Sequence, residues 1–75
     1  MKKIEQFFRD QIMSMGVDVK RWRCVVSEIS STPSYTIYRV RFYGASGYFE
    51  IDNAYSRQGV ITNWYAPTLH PEIRK

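Results

Sequence analysis

Hydrophobic positions early in the chain recur with a helical period. Ile4, Phe7, Phe8, Ile12 and Met15 share one side of a 3.6-residue repeat, while Lys3, Glu5, Arg9, Asp10 and Ser14 fall mainly elsewhere. This predicts an amphipathic helix over residues 2–15, with Gly16 as its C-terminal stop. From residue 35 the period changes to two. The stretch YTIYRVRFY-GASG-YFEID reads as two strands around a glycine-rich turn. A four-residue loop at Gly44–Gly47 sets Tyr43 opposite Tyr48, Phe42 opposite Phe49, Arg41 opposite Glu50, Val40 opposite Ile51 and Arg39 opposite Asp52. One face of this hairpin is then apolar, and the other carries two opposite-charge pairs and a tyrosine pair. Cross-strand pairs of these kinds stabilise antiparallel sheets, and a one-residue slip would send every side chain to the wrong face.

Two further strands are expected. Residues 22–29 alternate poorly because Cys24, Val25 and Val26 are consecutive. Pairing residue 28 with residue 36 sets Trp22, Cys24 and Val26 against Phe42, Val40 and Tyr38, which extends the apolar face. The opposite phase would bury Arg23 and Ser27 instead, so the first is preferred. Residues 59–65 form the other run, with either Val60 and Trp64 or Ile61 and Tyr65 inward. Pro67 ends it, leaving residues 66–75 as a tail with at most one helical turn after Pro71. The fold class expected is α+β: an N-terminal helix on one face of a three- to four-stranded antiparallel meander, in one small domain spanning residues 1–75. The expected core is Ile4, Phe7, Phe8, Ile12, Met15, Trp22, Cys24, Val26, Tyr38, Val40, Phe42, Phe49 and Ile51.

At 75 residues the chain sits near the size at which one core is just sufficient, and oligomerisation is a natural way to bury more surface. A composition of 44% hydrophobic and 24% charged residues is that of a folded protein rather than a disordered one. The net charge of +4 permits nucleic acid or an acidic partner without requiring either. No apolar run approaches a membrane span, and the opening MKKIEQFFRD has no uninterrupted hydrophobic region of a signal peptide, so a cytoplasmic location is expected.

The chemistry-bearing residues do not assemble into a catalytic set. Cys24 is the only cysteine, so no intrachain disulfide forms, and with His70 as the only histidine a zinc site is poorly supplied. Glu50 and Asp52 lie roughly 7 Å apart on one strand face, but the arginines opposite keep both ionised, which opposes a proton donor. The Gly44–Gly47 turn lacks the Lys and Ser/Thr of a phosphate-binding loop. The expectation is a non-enzyme without cofactor or metal.

One helix covers one sheet face, so the other face becomes the binding candidate. It presents Arg21, Arg23, Val25, Ile29, Tyr35, Ile37, Arg39, Arg41, Tyr43 and Tyr48, with Glu50 and Asp52. Arginine and tyrosine are enriched at protein–protein hot spots, and the same pair can hold phosphates and stack on bases. Arg39–Asp52 and Arg41–Glu50 neutralise part of the basic character, which favours a protein partner or homodimer over nucleic acid. The loop 53–59, with Tyr55 and Arg57, is a second candidate contact. The spacing Tyr38-x-Val40-x-Phe42…Gly47-x-Phe49-x-Ile51-Asp52…Gly59-x-Ile61 distantly resembles the strand–turn–strand core of PepSY-type domains. It spans less than half the chain on generic hairpin residues, and no family is assigned from it.

Overall fold

A computed structural model describes residues 2–71. Helix α1 (Lys2–Ser14) is followed by strands β1 (Arg23–Ser31), β2 (Tyr35–Gly44), β3 (Gly47–Ser56), β4 (Ile61–Thr62) and β5 (Thr68–Pro71). All strand pairings are antiparallel, in the order β1-β2-β3-β4, with β5 also on β3. The outer edge of β3 is therefore shared: β4 pairs with its Ala54–Tyr55 end and β5 with Gly47–Glu50. This is an α+β meander with the helix on one face, as the periodicities require.

The helix ends one residue earlier than its apolar repeat suggests, and Gly16 follows with φ +95°, a conformation glycine reaches without strain. Ile4, Phe8 and Ile12 are fully buried against Val40, Phe42, Phe49 and Ile51 of the sheet. Val19, in the connection after the helix, joins this core. Met15 does not: it lies beyond the helix end and stays half exposed. The β2–β3 register is the one demanded by the side-chain pairs, with Gly44 opposite Gly47 and a two-residue Ala45-Ser46 turn.

The first strand keeps its expected phase but shifts by two residues. Cys24 faces Phe42 and Val26 faces Val40, while Glu28 lies opposite Tyr38. An even shift leaves each side chain on its face, so the hydrophobic pattern cannot distinguish the two registers. A bulge between Glu28 and Ser30 then breaks the ladder.

Three boundaries are corrected. The strand after the turn runs to Ser56, four residues past Asp52, so Tyr55 is a strand residue. The expected strand over residues 59–65 shrinks to Ile61–Thr62, because Asn63 takes φ +52° and ends the extended run. That kink resolves the phase question with one residue from each alternative: Ile61 and Trp64 pack on the core, while Val60 and Tyr65 are exposed. Within the expected tail, Thr68–Pro71 is a strand. The helical turn considered after Pro71 lies outside the described residues.

Candidate functional site

The helix covers the sheet face carrying Cys24, Val26, Val40, Phe42, Phe49 and Ile51. By alternation the opposite face carries Arg23, Val25 and Ser27 from β1, Tyr35, Ile37, Arg39, Arg41 and Tyr43 from β2, and Tyr48, Glu50, Asp52 and Ala54 from β3. No described element lies over this face.

Its centre is an ion-pair ladder. Arg39 donates through Nε and Nη2 to the two carboxylate oxygens of Asp52 at 2.9 and 3.1 Å. Arg41 donates through Nε to Glu50 Oε1 at 2.7 Å and through Nη1 to the Tyr43 hydroxyl at 3.3 Å. These bonds favour the charged guanidinium. The Arg39 pKa is raised by its bond to Asp52, and that of Arg41 by the bonds to Tyr43 and Glu50. The shorter, charge-assisted Glu50 contact is the firmer of Arg41's two. Both arginines keep solvent access, so the pairs chiefly fix register.

At the turn end, four side chains form a row across the sheet. The Arg23 guanidinium lies 5.0 Å from the Tyr43 ring centre, and Tyr43 lies 5.7 Å from Tyr48. Tyr48 in turn stacks on His70 of β5 at 5.2 Å. Arg41 also lies over the Tyr48 ring at 5.0 Å. The aromatic faces thus stack largely on neighbouring side chains.

Beside the ladder lies a depression of about 340 Å³ between β1 and β2, lined by Val25, Ser27, Glu28, Ile29, Arg39, Arg41 and Tyr43. Val25 and Ile29 are 38% and 46% exposed there. The depression borders the outer edge of β1, which pairs only with β2 among the described residues.

Seven of the eight residues expected on the binding face lie along it, Arg21 being the exception. Arg23, Tyr43 and Tyr48 belong to the row, Arg39 and Arg41 to the ladder, and Arg39, Arg41 and Tyr43 to the depression. Arg21 is exposed in the turn before β1. Tyr35 and Ile37 lie at the far end of β2, opposite Ser56 and Ala54. The loop 53–59 does not exist as an open contact loop. Tyr55 packs on the core, its ring 6.2 Å from Tyr38. Arg57 instead ties two connections together, donating to the carbonyls of Pro33 at 2.9 Å and Thr32 at 3.3 Å.

His70, Ser27 and Glu28 are additions to the expected site residues. Thr68-Leu69-His70 does alternate, but the prolines on either side hide a strand that is tolerated because it lies on an edge. Cys24 and His70 fall on opposite faces of the sheet, so they form no nucleophile–base pair. Burial pushes the Cys24 thiol up to about 11, with Glu5 adding to the rise and Arg9 opposing it, which leaves it protonated and unreactive near neutral pH.

Among the described residues, no helix is long and apolar enough to cross a membrane. Comparison with protein-family models, curated proteins and solved structures finds no match for this chain.

Proposed function

We propose that this chain is a small non-catalytic binding module whose uncovered sheet face takes a protein partner, a second copy included. The observation that carries the reading is the depression on the face opposite the helix, where exposed Val25 and Ile29 sit among Ser27, Glu28, Arg39, Arg41 and Tyr43. Exposed apolar surface rimmed by polar groups tends to mark protein interfaces. Arginine and tyrosine around it match the composition of binding hot spots. The cytoplasm is the proposed setting, where a lone reduced thiol such as Cys24 persists.

Two features weigh against nucleic acid as the partner. Arg39 and Arg41 already hold carboxylates, and the Tyr43 and Tyr48 rings already stack on neighbouring groups. A phosphate or base would have to displace these contacts before gaining its own.

The test places a photo-crosslinking amino acid at Ile29 and, as a control, at Asp10 on the exposed side of the helix. Protein adducts from position 29 and none from position 10 are expected. Absence of any adduct at 29, or oligonucleotide binding at low salt that Arg41→Ala abolishes, overturns the reading.

A further inference from the structure

The uncovered face is laid out in columns of one charge sign. Residues directly opposite each other in an antiparallel ladder project from the same face. The β2–β3 register therefore sets a basic column, Arg39 and Arg41, beside an acidic one, Asp52 and Glu50. Each arginine holds the carboxylate opposite it, and all four side chains keep solvent access, from 25% at Glu50 to 46% at Asp52. Bonding capacity remains on both columns. Arg39 Nη1 and Glu50 Oε2 make no hydrogen bond among the described residues.

Such a pattern is its own complement under one rotation. A two-fold axis parallel to the strands, lying above this face between β2 and β3, exchanges the two columns and keeps every row at its level. Arg39 of one copy then lies over Asp52 of the other, and Arg41 over Glu50. On either side of the charges, Tyr43 lies over Tyr48 and Ile37 over Ala54. The rows extend outward as well: Val25, level with Arg41, lies over Thr68, level with Glu50, so the depression is roofed by the other copy. We propose that the partner of the uncovered face is a second copy of this chain, packed face to face about this axis.

The columns select both the occupant and the axis. A different protein would have to present two oppositely charged columns at strand spacing, whereas a second copy presents them by symmetry. An axis running across the strands would instead set the β2 arginines of the two copies against one another, and like charges in an interface oppose docking. Stacked sheets lie about 10 Å apart with strands within about 30° of each other, a gap that arginines from both sides fill. Drying a paired charge is costly unless its remaining donors and acceptors are used. Arg39 Nη1 and Glu50 Oε2 supply those contacts, and the intrachain pairs already hold the side chains in place, so docking orders little more. β2 and β3, ten residues each, are about 33 Å long, and four strand positions make the face about 19 Å wide. That flat footprint, roughly 600 Å² before side-chain relief, approaches the about 800 Å² each partner buries in a standard interface. The same patch serves both copies, so the assembly closes as an isologous pair.

This inference rests on the binding-module reading and specifies its partner. The test measures sedimentation equilibrium of the full chain, of Arg39→Glu, of Asp52→Arg, and of an equimolar mixture of the two variants. Both side chains are partly exposed, and circular dichroism verifies that each variant folds. The wild type is expected to dimerise, and each variant alone to associate roughly tenfold or more weakly, because like charges then face each other across the axis. The mixture is expected to regain dimer. The carboxylate introduced at position 39 of one copy then meets the guanidinium introduced at position 52 of the other, and the unaltered Asp52 and Arg39 meet in the same way.

A wild type that stays monomeric into the millimolar range overturns the proposal. So does a dimer that neither variant weakens, since copies joined edge to edge would keep positions 39 and 52 apart. A mixture no tighter than the variants alone overturns the axis and the proposal with it. The two readings fail separately. A monomer that still crosslinks another protein through position 29 sinks the second-copy partner alone, whereas loss of all crosslinking at 29 sinks the binding face itself.

Discussion

A buried amide and a half-buried thiol on the helix-covered face set how this protein responds to mutation and pH. Asn53 is 1% exposed. Its Nδ2 donates to the Tyr38 carbonyl at 3.3 Å, while its Oδ1 is buried with no hydrogen-bond partner among the described residues. An unsatisfied buried acceptor costs about 1–3 kcal/mol, so removing the amide altogether is nearly free. Asn53→Leu is expected to stay within about 1 kcal/mol of wild type in urea unfolding. Asn53→Asp, which places a charge at a site closed to solvent, is expected to lose several kcal/mol at pH 7 and to recover as the acid is protonated at low pH. A destabilised Leu variant would mean that Oδ1 has a bound partner. Cys24 provides the second response. Its thiol moves from an ordinary 9.0 to about 11 in the fold, mainly through burial. A folded pKa above the unfolded one means stability that is whole below pH 9 and is lost as the pH rises from 9 to 11. The wild type should therefore lose stability more steeply across that window than Cys24→Ala, and equal slopes would contradict the burial.

At the scale of elements, the glycines of the β2–β3 turn do more than turn the chain. A Cβ on Gly44 would lie 2.5 Å from the Trp22 indole, and one on Gly47 would run into the His70 carbonyl oxygen. The first glycine lets Trp22 slide under the hairpin, and the second lets β5 dock beside it. Gly47→Ala is expected to cost about 1–3 kcal/mol through overpacking and to release Thr68–Pro71 first. Faster amide exchange there, with loss of the Tyr48–His70 contact, is the readout; a variant that keeps both would remove the steric explanation. This dual role bears on what the residues reveal by themselves. The hairpin is legible because both of its faces carry matched side chains. The β1 register is not, since a two-residue shift preserves every face. Strand β5 is obscured by its prolines, and its docking depends on an absent side chain at Gly47, which no periodicity records. Helical periodicity likewise places Arg9 only on the polar side of α1. In the fold it is 13% exposed at its side chain and donates from Nη1 to the carbonyls of Val19, Lys20 and Trp22 at 2.6, 3.2 and 3.1 Å. Those contacts tie the α1–β1 connection down and place Trp22 and the start of β1. The uncovered face is largely legible, because alternation assigns it once the helix is known to cover the other side.

For the whole molecule, the decisive fact is that the described residues supply one helix for two sheet faces. Domains this small gain only a few kcal/mol from a single core, so any association that buries β1 and the Val25–Ile29 depression is a sizeable addition. Association that selects the folded form raises stability by mass action. Per chain this amounts to about 1.4 kcal/mol once the concentration exceeds the dimer midpoint a hundredfold. In a domain of this size about 1 kcal/mol moves the melting temperature by roughly 4–8 °C. The wild-type Tm is therefore expected to climb by about 5–10 °C from well below that midpoint to a hundredfold above it. A wild-type Tm that is flat across the range would mean that the core under α1 stabilises the fold unaided and that the uncovered face stays open in solution.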